Sequence, residues 1–195
     1  MDESELIRRC QEGDALAGAD LYQRWCASVY RLAYGILRQT QDAEEVTQDA
    51  FVYALSRIEH YDPGKSAFRT WLYMITISRS RNKMRRKWLP TVGLSEWSEN
   101  DAEQGAAERP PEDLAELRAE REQVWAAIGK LSPKLREAVI LRYFDNLTFP
   151  EIGEILSCPI KTVQSRVRLA HKELRKLLAL SDQPPAVGGQ AEQVI

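Results

Sequence analysis

The sequence predicts an all-α fold made of two small helical domains. Glycine is sparse, with 10 in 195 residues. Runs of β-branched residues are short, and apolar residues recur at spacings of three and four along most of the chain. The stretch 91–112 breaks this pattern with small and acidic residues and with the pair Pro110 and Pro111. We therefore expect a first domain over residues 1–90, a flexible acidic linker over 91–112, a second domain over 113–180 and a disordered tail over 181–195.

The first domain is predicted to begin with a short helix near Ser4 to Gln11, followed by a longer one. Asp14 is a suitable N-cap for the longer helix because its carboxylate can accept hydrogen bonds from free backbone N–H groups. The stripe that should face the core has spacings of four and three. It consists of Leu21, Trp25, Val29, Leu32 and Ile36.

Two more long helices are predicted in the first domain. Asp42 is a suitable cap for the next helix, AEEVTQDAFVYALSRI. The segment HYDPGKS then interrupts the helical pattern, since Pro63 and Gly64 favour a loop. The third long helix contains Trp71 and Leu72, which we expect in the core.

The third helix ends in the stretch WLYMITISRSRNKMRRK, which has no acidic residue. Its positive charge could face water, an acidic protein or a nucleic acid. The cationic residues are Arg79, Arg81, Lys83, Arg85, Arg86 and Lys87.

The second domain carries two clear helix-start signals and a short helix-turn-helix pattern. Ser132 followed by Pro133 predicts a helix start, with proline at the first helical position. Thr148 and Glu151 form the T-x-x-E pattern of a capping box. The segment SCP then breaks the short helix, and a long basic helix follows. In a helix-turn-helix, the first helix supports a second helix that lies in the DNA major groove.

The long basic helix offers donors for base edges and phosphates along the face opposite its apolar residues. A solvated surface helix would also be charged, but here the cations far outnumber the acids and directly follow a tight turn. We therefore expect duplex DNA binding. The candidate contacts are Lys161, Thr162, Gln164, Ser165, Arg166, Arg168, His171 and Lys172.

Several classes of function are disfavoured by the sequence. No run of about 18 apolar residues predicts a membrane span, and the acidic N-terminus does not resemble a signal peptide. Three widely spaced cysteines and two histidines form neither a disulfide framework nor a metal-binding pattern. There is no phosphate-binding loop or catalytic triad pattern. We expect no enzyme activity, no metal, no cofactor and a reducing, cytoplasmic location.

Four blocks in order resemble the bacterial extracytoplasmic-function (ECF) sigma factors, the minimal two-domain kind. The blocks are GDALAGADLYQRW, QDAEEVTQDAFVYAL, FRTWLYMITISRSRNKMRR and the long block that runs from LSPKLREAV to HKELRKL. The resemblance covers nearly the whole chain outside the linker and the tail. It implies sigma region 2 followed by sigma region 4, and a non-enzymatic factor that directs RNA polymerase to promoters.

The resemblance implies partners and sites in the first domain. The second block resembles the helix that binds the β′ clamp helices of core RNA polymerase, and the β flap is a further expected contact. The implied polymerase-binding residues are Glu45, Gln48, Asp49 and Val52. The loop and the third long helix resemble the parts that open and read the −10 promoter element. The implied −10 contacts are His60, Tyr61, Asp62, Gly64, Lys65, Ser66, Arg69, Thr76, Arg79, Ser80, Lys83 and Lys87.

The helix-turn-helix is implied to read the −35 element, and an anti-sigma factor is an expected partner that would hold the protein inactive. The chain departs from common family residues at Ser78, Asn82 and Leu169, which puts borrowed promoter motifs in doubt. The alternative is a conventional helix-turn-helix regulator that binds duplex DNA as a dimer. That alternative leaves residues 42–88 without a role.

Overall fold

The computed structural model describes residues 2–88 and 112–181, and in this part of the chain it is all-helical, as predicted. Eight α-helices and one 3₁₀ turn at Ile58–His60 are found there. The helices are α1 (Glu3–Gln11), α2 (Ala15–Leu37), α3 (Thr40–Ser56), α4 (Phe68–Trp88), α5 (Glu112–Lys130), α6 (Pro133–Tyr143), α7 (Phe149–Ile155) and α8 (Ile160–Ser181). The predicted tail beyond Ser181 and nearly all of the predicted linker lie outside the described residues.

Three of the four predicted helix starts are found in the structure. Asp14 caps α2 by accepting hydrogen bonds from the backbone N–H groups of Leu16 and Ala17. Thr148 and Glu151 form the capping box of α7. Ser132 is the N-cap residue of α6, with proline following it, although its side chain makes no capping hydrogen bond.

The prediction for Asp42 is wrong. Helix α3 begins at Thr40, so Asp42 lies in its first turn instead of at its N-cap. Its carboxylate is mostly buried and lies 3.6 Å from Lys83 Nζ. An acidic side chain in the first turn interacts favourably with the positive end of the helix dipole, as an acidic N-cap does. The two positions therefore give similar patterns in the sequence.

The first domain surrounds an apolar core formed by α1, α2, α3 and α4. The predicted α2 stripe supplies Leu21 and Val29, both fully buried, and α3 and α4 add Phe51, Phe68 and Leu72. Trp71 is half-buried and packs against the same cluster. Leu72 and Trp71 are therefore packing residues, as the sequence predicts.

A second apolar cluster joins the two domains. Leu32 and Ile36 of α2 and Tyr73 and Ile77 of α4 are buried together with residues of α5, α6, α7 and α8. The closest approach is at Gly35, where an added Cβ atom would lie 3.0 Å from Ile140 Cδ1 and Cγ2. The described parts of the two domains are therefore packed directly against each other.

Candidate nucleic-acid interface

The α7–α8 pair forms a helix-turn-helix with a very tight turn. Gly153 is required there, because a Cβ atom at this position would lie 2.9 Å from the backbone oxygen of Cys158. Cys158 N–H donates to the carbonyl of Gly153 at 2.9 Å, and Ser157 adopts a left-handed φ of 51°. This geometry brings α8 back across α7, with Val163 and Val167 buried beneath it.

The face of α8 that points away from this core is basic and exposed. Val163, Val167 and Ala170 are buried on one side of the helix. Residues on the opposite side recur at spacings of three, four and four, starting from Lys161. Its exposed members from the predicted DNA-contact set are Lys161, Gln164, Arg168 and Lys172. Such a face can place a guanidinium and an amide against base edges, with ammonium groups at phosphates.

Four other predicted contacts lie beside this face and are half-buried: Thr162, Ser165, Arg166 and His171. Arg166 Nη1 is 3.6 Å from Cys158 Sγ in the turn, and the ring centroid of His171 lies 5.4 Å from that of Tyr143. Leu169, one of the departures from family residues, is 47% exposed on the basic face. An apolar side chain among cations can contact a thymine methyl group but cannot contact phosphate.

Five of the predicted −10 contacts, Arg69, Thr76, Ser80, Lys83 and Lys87, were expected to form one DNA-binding stripe on α4. The structure does not present all of this stripe to solvent. Thr76 and Ser80 are completely buried, so they cannot contact DNA in this structure, and the prediction for these two is corrected. Their hydroxyls donate to the carbonyls of Leu72 and Thr76, each at 2.9 Å. Because these hydroxyls are hydrogen-bonded within their own helix, the two side chains can be buried at a small cost in free energy. Their polarity therefore did not indicate exposure to solvent.

Three cations among the predicted −10 contacts, Arg69, Arg79 and Lys83, are held by partners within the protein. Arg69 donates to Glu151 at 2.7 Å, and Lys83 pairs with Glu45 and Asp42. The Arg79 guanidinium lies over the Tyr53 ring, 4.5 Å from its centroid. The hydrogen bond to Glu45 raises the pKa of Lys83. The Lys87 side chain lies outside the described residues.

A different face of α4 points outward. Trp71, Met74 and Asn82 are partly exposed, and Ser78 and Arg85 are exposed. Their spacings of three and four place them on one side of the helix. Two of them, Ser78 and Asn82, are departures from common family residues. Arg85 is absent from the predicted −10 contacts, although it lies on the same side of the helix as Trp71, Ser78 and Asn82.

The loop after α3 is split between core and surface. Tyr61 is buried, with its hydroxyl donating to the Ser66 carbonyl at 3.0 Å and its ring packed against Trp71. The prediction that Tyr61 lines the rim of a base pocket is therefore corrected, because an aromatic ring here fills the core. The exposed predicted members of the loop are His60, Asp62, Gly64 and Lys65, while Ser66 is half-buried. Asp62 stabilises the turn by accepting from Gly64 N–H at 2.9 Å.

The exposed face of α3 contains all four predicted polymerase contacts. Glu45, Gln48, Asp49 and Val52 are exposed, and Val52 is 64% exposed despite being apolar. The residues between them, such as Val46 and Ala50, are buried. This side of α3 is therefore acidic, with one apolar member.

The opposite side of α4 is covered by the second domain through polar contacts. Arg81 donates to both carboxylate oxygens of Glu137, at 2.8 and 2.7 Å, and Glu137 is 1% exposed. The Tyr73 hydroxyl donates to Asp145 Oδ1 at 2.8 Å. Burial raises the pKa of Asp145, while hydrogen bonds from Thr148 lower the pKa of Glu151, the partner of Arg69. Three acidic side chains thus occupy one face of α4.

Two further observations concern membrane-spanning helices and metal-binding sites. Across residues 2–88 and 112–181, no helix has the length and apolar character needed to cross a bilayer. Within the same ranges, His, Cys, Asp and Glu side chains form no group of three that could hold a metal ion.

Comparison with known proteins identifies the two domains. The Sigma-70 region 2 family matches residues 21–89, and the Sigma-70 region 4 family matches residues 121–174. The ECF RNA polymerase sigma factor SigW of Bacillus subtilis is 34% identical over 181 residues, covering 88% of this chain and 94% of that protein. The chain belongs to the ECF sigma factors.

Other ECF sigma factors agree with this assignment. The sigma-E factor of Escherichia coli is 31% identical over 174 residues, covering 87% of this chain and 90% of that protein. Among solved structures, CnrH bound to the cytosolic domain of CnrY has a TM-score of 0.67 and 24% identity, covering 91% of this chain and 97% of CnrH. RpoE of Bartonella quintana, bound to the anti-sigma factor NepR, has a TM-score of 0.60, 23% identity and coverages of 84% and 99%. These structures share the fold.

As an ECF sigma factor, the protein is a transcription initiation factor that binds core RNA polymerase and promoter DNA and is not an enzyme. The conventional regulator considered as the alternative does not account for the region 2 match over residues 21–89. In this sigma factor, α7 and α8 form the helix-turn-helix of region 4. Region 2 supplies α4 and the exposed acidic face of α3.

Proposed function

We propose that the sigma factor reads its promoter with two separate faces, one in region 2 over residues 1–90 and one in region 4 over residues 113–180. The single observation that carries this proposal is the exposed basic face of α8, held over its tight turn by Gly153. Lys161, Gln164, Arg168 and Lys172 would enter the major groove of the −35 element. Gln164 and Arg168 are suited to base edges, and the lysines to phosphates.

The outward face of α4 and the exposed loop residues would contact the −10 element. Ser78, Asn82 and Arg85 offer a hydroxyl, an amide and a guanidinium on one side of the helix. His60, Asp62 and Lys65 lie in the loop that packs against Trp71 through Tyr61. A melted strand requires pockets for bases and cations along its backbone, and this combination provides polar rims and positive charge. Arg79 and Lys83 would join once released from Tyr53 and Glu45.

The exposed face of α3 is the proposed docking site for the β′ clamp helices of core polymerase, with the β flap as the contact for region 4. An acidic face with one exposed apolar residue suits a basic helical partner. We further propose an anti-sigma factor as a partner and a cytoplasmic location. The support for that partner is that CnrH and RpoE, which share this fold, are found with CnrY and with the anti-sigma factor NepR.

The test is transcription by purified core polymerase with this protein and a pool of genomic promoter fragments, followed by sequencing of the transcripts. Discrete start sites that share two upstream elements would support the proposal. Asp49→Lys should abolish co-elution with core polymerase but leave duplex binding intact. Asp20→Lys, which reverses an exposed acid on α2, is the matched control and should co-elute normally. Duplex binding without any co-elution of the unaltered protein would contradict the proposal.

A further inference from the structure

We propose that the first helix, α1, positions the loop that reads the −10 element, and that Gln11 is the positioning residue. This loop, residues 60–66, is called the −10 loop below and contains the exposed residues His60, Asp62 and Lys65. Helix α1 precedes residues 21–89, which the region 2 family matches. Because the loop contacts DNA only under the proposed function, this inference rests on that function and deepens it.

Gln11 is the last residue of α1 and joins this helix to the turn that leads into the −10 loop. Its amide nitrogen Nε2 donates to the backbone carbonyls of Ile58 and Tyr61, each at 3.0 Å. Ile58 begins the 3₁₀ turn and Tyr61 directly follows it. A side-chain amide has two N–H donors, so it can serve two acceptors at once. One side chain of α1 therefore binds both ends of the turn from which the loop starts.

Helix α1 is itself fixed against the rest of the first domain. The Arg9 guanidinium donates to Asp14 Oδ2 from two nitrogens, at 2.9 and 2.5 Å, across the turn between α1 and α2. The apolar side of α1 is buried in the core, through Leu6, Ile7 and Cys10. Because α1 is anchored by both kinds of contact, the Gln11 amide is presented to the turn at a defined place.

The first turn of α1 contacts the base of the loop by a second route, through aromatic rings. Trp25 Nε1 donates to Glu3 Oε2 at 2.9 Å. The ring centroid of Trp25 lies 6.3 Å from that of Phe68, which in turn lies 5.4 Å from that of Tyr61 at an angle of 89°. Edge-to-face rings at such distances attract each other. Tyr61 is thus held through its ring by this chain of contacts and through its carbonyl by Gln11.

The −10 loop also has short-range hydrogen bonds of its own. The Tyr61 hydroxyl donates to the Ser66 carbonyl at 3.0 Å, and Lys65 N–H donates to the Asp62 carbonyl at 3.0 Å. Asp62 Oδ1 accepts from Gly64 N–H at 2.9 Å. These bonds lie within residues 61–66, so they set the shape of the loop, whereas the bonds from Gln11 set its placement. Removing the Gln11 donor should therefore displace the loop without unfolding it.

The placement of the loop matters because recognition of an unpaired base requires polar groups at defined distances from α4. A binding group on a loop is less precisely placed than one on a helix, unless supporting side chains hold it. Without the Gln11 bonds the loop gains further positions, and discrimination between bases should fall. A residue that only stabilised the domain would instead lower initiation at all promoters alike.

The test variant is Gln11→Met, because methionine has a similar length and helix propensity but cannot donate a hydrogen bond. Gln23→Met makes the same chemical change at an exposed position of α2 and is the matched control. Gln11→Lys is the rescue variant, since an ammonium group can donate to both carbonyls.

Amide hydrogen exchange in the free full-length protein is the direct readout of loop order. In Gln11→Met, exchange at the Tyr61 and Lys65 amides should be about three- to tenfold faster, the factor that corresponds to one net hydrogen bond. Exchange in α8 should be unchanged and serves as the internal reference. Gln23→Met should exchange like the unaltered protein, and Gln11→Lys should return the loop toward it.

The functional readout is the ratio of transcripts from a promoter identified by the transcription assay to those from versions with single changes in the −10 element. Gln11→Met should reduce this ratio about three- to tenfold, in step with the loss of loop order. Co-elution with core polymerase and affinity for a −35 duplex should be unchanged, because neither proposed surface contains Gln11. Gln11→Lys should restore the ratio, and Gln23→Met should leave it unaltered.

Each contrary result overturns a defined part of the proposal. Unchanged exchange in the loop of Gln11→Met would overturn the positioning by Gln11. Faster exchange with an unaltered −10 preference, or an equal loss at every promoter, would overturn the role in promoter recognition. If the unaltered protein gives no transcripts, the proposed function fails and the reading role fails with it, while hydrogen exchange still decides whether Gln11 orders the loop.

Discussion

Tyr73 of α4 and Asp145, which follows α6, share a hydrogen bond of 2.8 Å across the boundary between the two regions. Burial raises the pKa of Asp145 above its usual range, and the hydrogen bond from Tyr73 partly offsets that rise. Burial also raises the pKa of Tyr73, so its hydroxyl stays protonated and donates. The Asp145 carboxylate thus lies where burial disfavours its charge, and the Tyr73 hydroxyl stabilises it by donating a hydrogen bond.

This pair predicts a pH-dependent stability. A carboxyl whose pKa is higher in the folded than in the unfolded protein binds more protons when folded. Its contribution therefore lowers the free energy of unfolding as pH rises through the window from the unfolded pKa of about 3.9 to the higher folded value. Asp145→Asn keeps an acceptor for Tyr73 and removes the charge. It should raise stability at neutral pH and flatten the dependence in this window, as measured by urea unfolding at several pH values.

Tyr73→Phe tests the same pair from the donor side. It leaves Asp145 without its hydrogen bond and should lower the free energy of unfolding by about 1.5–3 kcal/mol at neutral pH, the usual value for bonds to charged groups. The loss should be smaller once Asp145 is protonated. An equal loss at neutral pH and at an acidic pH where Asp145 is protonated would show that Asp145 is not charged in the folded protein at neutral pH.

Arg136 should be among the more sensitive arginines of region 4. Its guanidinium donates to the carbonyl of Ile36 near the end of α2 and to the carbonyls of Ile128, Gly129 and Leu131 around the end of α5. Arg136→Met removes these bonds, and we expect a loss of about 1–3 kcal/mol in urea unfolding. Arg142→Met is the comparison, because Arg142 donates to the single carbonyl of Leu147 within region 4. A larger loss for Arg142→Met would mean that the contacts of Arg136 are not maintained in solution.

The capping box of α7 gives a prediction with a matched control. Thr148→Ala removes the side chain that accepts from Glu151 N–H and donates to its carboxylate, and should cost about 1 kcal/mol. Ser132→Ala changes an N-cap residue that makes no side-chain capping bond, so its cost should be near zero. Thermal unfolding of the two variants side by side checks the difference.

Thr148→Ala should also change the response to acid. Hydrogen bonds from Thr148 lower the pKa of Glu151, so Glu151 stabilises the fold above its ordinary pKa and this contribution is lost as pH falls through the lowered value. The variant should therefore lose less stability than the unaltered protein when the pH is taken below about 4, where model carboxyl groups titrate. Identical acid sensitivity of both proteins would contradict the role of Thr148.

The basic face of α8 predicts a graded set of effects on −35 binding. Arg168→Ala should cost roughly 1–3 kcal/mol and relax sequence preference if the guanidinium reads a base edge. Lys161→Ala should weaken all duplexes alike and reduce the salt slope by about 1. Arg166→Ala should have a smaller effect than Arg168→Ala, since Arg166 is half-buried beside Cys158. Fluorescence anisotropy on specific and scrambled duplexes at two salt concentrations separates these cases.

Much of the fold could be predicted because its signals are local. Asp14, Pro133 and the Thr148–Glu151 pair each fix a helix start through backbone groups a few residues away. The apolar stripe of α2 likewise follows from helical period alone. The position of Asp42 was wrong by a few residues because an acid in the first turn and an acid at the N-cap satisfy the same electrostatic preference.

The functional sites could be predicted less well than the fold, because a polar pattern along a helix does not show which of its sides faces solvent. The stripe containing Thr76 and Ser80 is polar in sequence, yet it is buried because hydroxyls can bond back to their own helix. Tyr61 fills the core through ring contacts with Phe68 and Trp71, and because it lies in a loop no helical spacing predicts its burial. Nothing in the sequence distinguishes Glu137 from a surface acid of α6, and only the position of Arg81 in the folded chain explains its burial.

The fit of Ile140 against Gly35 makes the two halves of this protein a matched pair for engineering. Consider a hybrid that joins region 2 of this chain to region 4 of a relative. Its side chain at the position of Ile140 would have to fit against Gly35 of α2 without a clash and without leaving a cavity. Choosing the grafted half by its promoter preference alone would ignore that constraint. The useful crossover partners are therefore those whose residues at both positions have compatible volumes, a criterion that can be applied to sequences before any DNA is tested.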